Sequence, residues 1–119
     1  MSVGELTVVT KTYDLTLWLL TQINKLPRSY RFVLGDRIEN TTLDILELLL
    51  EATYERDRGG VLKRANLKLE KLRYLIRICK DLKLINLKSY EHLARQVNEV
   101  GMLIGGWARQ QRRKQDEDA

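Results

Sequence analysis

A chain of 119 residues, 44% of them hydrophobic, has room for one domain and one core and is too apolar to remain disordered. One cysteine and one histidine exclude a disulfide framework and zinc sites that need several such ligands. The formal charge of +5 makes a polyanion or an acidic protein surface the kind of partner to look for.

No apolar run approaches the length that a bilayer requires. The opening "MSVGELTVVTKTYD" has no basic region ahead of an apolar stretch, so it does not read as a signal peptide and the expected location is cytoplasmic.

Gly4 precedes a first predicted helix over about 5–24, where Leu6, Val9, Tyr13, Leu17, Leu20 and Ile23 recur at threes and fours and are expected to face a core. Pro27 ends it, because proline cannot donate to a preceding turn. A second helix is predicted over 29–56, its main face being Ile38, Ile45, Leu49 and Ala52. The pair Gly59-Gly60 is expected to break it. A third runs over 61–84 with the stripe Leu62, Ala65, Leu69, Leu72, Ile76 and Cys79. A short turn with Ser89 as N-cap leads to a fourth over 90–113, carrying Leu93, Val97, Val100, Ile104 and Trp107. Residues 114–119 read as a charged, disordered tail, which leaves 1–113 as the domain. Long helices with short links predict an all-α fold, an antiparallel up-down-up-down four-helix bundle.

Two helices carry a second apolar face. Leu67, Tyr74 and Ile78 cluster opposite the core stripe of the third helix at ~100° per residue. Leu43, Leu50 and Tyr54 do the same on the second. Scattered surface apolars are normal, but the repetition on two helices favours subunit contacts. Ala94, Gly101 and Ala108 recur at seven-residue spacing, with Gly105 nearby, and permit a close helix approach either inside the bundle or between subunits.

Nothing in the chain marks catalysis. It holds no GxGxxG, Walker A or GxSxG pattern. Cys79 falls on an apolar stripe, where a buried inert thiol is expected. Asp36, Glu39, Asp44, Glu47 and Glu51 fall mostly on the polar side of a helix. The expectation is a protein that is not an enzyme, with no catalytic residue, metal or cofactor.

Charge is unevenly spread. Residues 1–60 hold seven Lys/Arg against nine Asp/Glu, whereas 61–115 hold fourteen against four. On the third helix Arg73, Arg77 and Lys80 fall on one flank, continued by Lys63 and Asn66 and followed by Lys83. That flank can hold phosphates, pair with acids across the bundle, or be merely solvated. No stacking platform of aromatics is visible beside it, so binding is expected to be mainly electrostatic and weakly sequence-selective. Arg28 and Arg31 are expected in the first turn of the second helix, where cations oppose the macrodipole. A partner explains that placement better than folding does, although Asp36 and Glu39 offset it locally.

The stretch "LPRSYRFVLGDRIENTTLDILELLLEA", with "YDLTLWLL" before it and "KLRYLIRICKDLKLI" and "GMLIGGW" after it, resembles the accessory variability determinant (Avd) proteins of diversity-generating retroelements over about 5–112. Related to these are the four-helix-bundle proteins encoded in intervening sequences of bacterial large-subunit ribosomal RNA genes. The resemblance implies a basic pentameric assembly that binds the retroelement reverse transcriptase together with template RNA and cDNA, and supports mutagenic retrohoming. It carries over no catalytic residue. A ribosomal intervening-sequence bundle, or a helical adaptor for an acidic protein, are the alternatives.

Overall fold

The structure is a computed structural model and describes residues 1–118. Helix α1 spans Val3–Ile23. Helix α2 covers 28–54 in three parts: one turn at Arg28–Tyr30, a π-helical turn at Arg31–Gly35, and a regular helix at Asp36–Tyr54. Helices α3 and α4 span Gly59–Asp81 and Leu87–Asp118. Each of α2 and α3 packs on a helix adjacent to it in sequence and α4 closes back on α1, giving a four-helix bundle 52 Å long and 23 × 20 Å across.

The ends are set by local chemistry. Ser2 and Glu5 form a reciprocal capping box at the start of α1. The start of α4 is capped by Asn86, whose Oδ1 accepts from the Ser89 amide at 2.7 Å. Ser89 is thus the third residue of the helix rather than its cap. Gly59 and Gly60 open α3 instead of lying between helices. Helix α4 runs on to Asp118 rather than stopping at Arg113, and Gln115 Nε2 donates to Asp57 Oδ1 at 2.9 Å, tying this last turn to the α2–α3 link. Ala119 lies outside the described residues.

The expected core stripes of α2, α3 and α4 are all buried. That of α1 is displaced. Its core face is Val8, Thr12, Leu15, Thr16, Leu19 and Ile23, while Leu6, Tyr13 and Leu17 stand about half exposed, at 54%, 51% and 49%. The reason is chemical. Thr12 and Thr16 each donate their hydroxyl to the carbonyl four residues earlier, at 2.8 and 2.7 Å, which lets a nominally polar residue enter the core with its hydrogen bond made. Thr42 does the same on α2.

Candidate nucleic-acid interface

The cations of α3 divide into two flanks. Two of those turned towards α2 are paired across the bundle, Lys68 with Asp44 at 3.2 Å and Arg64 with Glu51 at 4.0 Å, while Lys71 lines the groove between the two helices. Those turned towards α4 meet acids only on their own helix. Arg73 pairs with Glu70, one turn earlier, and Arg77 and Lys80 both approach Asp81 at 3.8 Å. Two acids therefore serve three cations, and the flank keeps a positive excess.

That flank borders a cleft of about 300 Å³ between α3 and α4. Its floor is Ile76, Ala94 and Val97. Its rim carries Glu70, Arg73, Tyr74, Arg77, Tyr90 and Asn98. Arg73 spans the cleft, with Nη2 donating to Asn98 Oδ1 at 3.4 Å. Lys80 Nζ stands 4.8 Å from the centre of the Tyr90 ring. The small residues of α4 have distinct uses here: Ala94 deepens the cleft, and Gly101 leaves room for the Arg73 guanidinium.

Of the residues that the sequence marks as cationic contacts, Arg73, Arg77 and Lys80 come together at this cleft. Lys83 follows in the turn after α3, and Lys63 lies about 15 Å back along the helix at ~1.5 Å per residue. Both are exposed. Arg28 is exposed in the first turn of α2. Arg31 serves the fold itself, with Nη2 donating to the carbonyls of Asn24 and Leu26 at 3.2 and 3.3 Å. A cation near the start of α2 thereby satisfies the carbonyl end of α1, where positive charge is favourable. Tyr74, Tyr90, Asn98 and Glu70 complete the cleft, and sequence reasoning does not group them. The one signal in the sequence is the seven-residue spacing of Ala94 and Gly101, since the rest depends on how two helices meet.

The second apolar faces are exposed to different degrees. Leu67, Tyr74 and Ile78 stand out from α3 beside Arg37, Thr41 and Lys71, lining a groove between α2 and α3. Tyr54 is 88% exposed and Leu50 38%, whereas Leu43 is half-buried. By helical phase, ~100° per residue, Leu43 and Leu50 fall on the α1 side of α2, away from Asp44 and Glu51. On α1 Leu6, Tyr13 and Leu17 are exposed, as is Val3 in its first turn. The molecule therefore presents two separate apolar faces rather than one.

Cys79 is buried, and burial pushes its thiol up, away from the reactive thiolate. Among the described residues no helix is long and apolar enough to cross a membrane, and no group of three or more His, Cys, Asp or Glu could hold a metal ion.

The sequence model of the bAvd-like family matches residues 6–111. The chain belongs to the bAvd-like family. A crystal structure of a protein of unknown function from the S23 ribosomal protein family, from Bacteroides thetaiotaomicron, superposes with a TM-score of 0.83. The two share 16% identity, and the match covers 90% of this chain and 99% of that one, which establishes a common fold. No curated protein matches the chain. The bAvd-like match spans all four helices and the α3–α4 cleft, leaving out only the first five residues and the last turns of α4.

Proposed function

We propose that this bAvd-like protein is a non-catalytic accessory subunit of a diversity-generating retroelement, a basic oligomeric scaffold that binds the reverse transcriptase and template RNA or cDNA. The observation that carries the reading is the α4-facing flank of α3, where Arg73, Arg77 and Lys80 share two acids, Arg77 exposed and the other two half-buried. Phosphates would displace counterions there and give affinity that falls with salt and depends little on base sequence. Membership of the bAvd-like family supports an Avd-type protein, and the resemblance to the Avd proteins is what suggests the retroelement context, in which the polymerase would supply the chemistry of synthesis.

Assembly follows from the two apolar faces. Different faces on one subunit favour a head-to-tail contact, and such contacts close into a ring when the rotation permits. The Avd resemblance makes the ring a pentamer. A ring also multiplies a weak patch, because linked sites raise the effective concentration for each later contact.

The test is co-purification of RNA and reverse transcriptase with the wild type and with Arg73→Glu/Arg77→Glu, alongside native mass spectrometry. The wild type is expected at about five times 14.0 kDa, retaining both partners. The reversed protein is expected to keep the oligomer and its helicity and to lose RNA. If it loses only the polymerase while the free protein still binds RNA, the flank docks an acidic protein face instead. Retention of both partners would leave the flank a solvated surface.

A further inference from the structure

The cleft between α3 and α4 is more than a strip of charge. Its floor is apolar, two tyrosines stand on its rim, and an amide and two guanidiniums line the same opening. Its volume, about 300 Å³, is at the lower end of ligand-sized pockets. A surface that only gathered phosphates would need neither the floor nor the rings. We infer that the cleft takes one unpaired nucleotide of a single-stranded nucleic acid, with the base stacked on Tyr90 over the floor of Ala94 and Val97 and the phosphate on Arg73 and Arg77. This inference rests on the nucleic-acid role proposed for the α3 flank.

Each part has a physical reason. Aromatic rings bind any base by its π-face, so stacking tolerates sequence. Asn98 offers an amide to the polar edge of the base, and its Oδ1 accepts from Arg73 at 3.4 Å. Lys80 occupies the position over the Tyr90 ring at 4.8 Å, and its long flexible stem allows it to move aside towards the phosphate. Glu70 neutralises Arg73 and competes with a phosphate for it. A base inside a duplex is stacked on both faces and cannot enter. The cleft therefore discriminates single strands from duplexes, which a bare cationic flank does not.

The experiment is fluorescence anisotropy on the full chain with a labelled 12-nucleotide oligouridylate, its deoxy counterpart and a 12-base-pair RNA duplex at fixed salt. The wild type is expected to favour the single strands by about tenfold, the scale of one stacked base. Tyr90→Leu should remove that preference, Tyr90→Phe should keep it, and Glu70→Gln should strengthen single-strand binding by lifting the competition for Arg73. Asn98 is exposed, so Asn98→Leu tests the polar edge without threatening the fold. A strand preference limited to RNA would assign the ligand as a ribonucleotide, and an equal preference for both strands a nucleotide of either sugar. Equal affinity for strand and duplex, unchanged in Tyr90→Leu and Asn98→Leu but lost in Arg73→Glu/Arg77→Glu, would overturn the nucleotide cleft while leaving the electrostatic scaffold standing. Absence of binding to all three probes would overturn both.

Discussion

The guanidinium of Arg73 on α3 lies over the backbone of Gly101 on α4, so closely that a Cβ built on Gly101 would stand 2.6 Å from Nη2. The same Cβ would lie 3.2 Å from Leu69 Cδ2. The glycine thus sets where the arginine rests.

Gly101→Ala separates positioning from stability. Alanine in a helix interior gains roughly 0.5–1 kcal/mol over glycine. The end of the arginine side chain can swing away cheaply, while buried Leu69 must shift by a few tenths of an ångström. The expected stability change is within about 1 kcal/mol of zero, measured by urea unfolding. The Arg73–Asn98 hydrogen bond should be lost, and RNA affinity should change by more than stability does. A variant that unfolds by more than about 3 kcal/mol would mean that the helices cannot yield at this crossing.

The core face of α1 gives a second prediction. Leu15 is 1% exposed and Leu17 49%. Leu15→Ala should cost about 2–5 kcal/mol, the range for a buried leucine. Leu17→Ala should cost less than about 1 kcal/mol in the monomer. If Leu17 belongs to a subunit contact, its substitution should lower the oligomer mass seen by sedimentation while leaving helicity unchanged. Equal losses of stability would return Leu17 to the core.

That pair also marks how far the sequence alone reaches. On α2, α3 and α4 the buried stripes are aliphatic and recur at helical spacing, so periodicity alone locates them. On α1 two heptad-like stripes compete, and hydrophobicity favours the wrong one, because Thr12 and Thr16 look polar in sequence. Their burial depends on hydroxyls that bond back to the helix, and composition does not register that. The basic flank is legible because Arg73, Arg77 and Lys80 are neighbours on one helix. The cleft is not, because Tyr90 and Asn98 reach it from another helix. In sequence Arg31 lacks a partner, but the open carbonyls at the end of α1 are there to receive it.

A third prediction concerns the far end of the bundle. Arg58 pairs with Glu5, donates to the Glu55 carbonyl at 3.0 Å and lies 5.7 Å from the centre of the Trp107 ring, joining α1, the α2–α3 link and α4. Burial raises the Glu5 carboxyl, but the Ser2 amide and the Arg58 guanidinium outweigh it and hold the group below its ordinary range. A lowered carboxyl stabilises the fold above its unfolded pKa, and that contribution is lost as pH falls through the folded value. Arg58→Met should therefore cost about 1–2 kcal/mol at neutral pH. The gap between wild type and variant should narrow on acidification through the carboxylate range, measured as urea midpoints. A gap independent of pH would place the effect in packing on Trp107 alone.

Lys83 gives the last prediction. It closes α3 with φ at 59°, its amide donating to the Lys80 carbonyl at 2.9 Å and the Leu84 amide to the Cys79 carbonyl at 2.8 Å. This is the Schellman pattern, in which the left-handed position normally belongs to glycine. A side chain there costs roughly 1–2 kcal/mol, and glycine gives back about 0.5–1 kcal/mol through the greater freedom of the unfolded chain. Lys83→Gly should thus stabilise the protein by about 0.5–1 kcal/mol and raise Tm by roughly 2–5 °C. The same change removes a cation beside the proposed interface. If Lys83 meets a phosphate, the slope of log affinity against log salt for single strands should shallow by about 0.7. A more stable protein with a shallower slope would show that the lysine is held in a strained position for the sake of its charge. A more stable protein with an unchanged slope would confine Lys83 to the turn and leave Arg73, Arg77 and Lys80 to carry the binding.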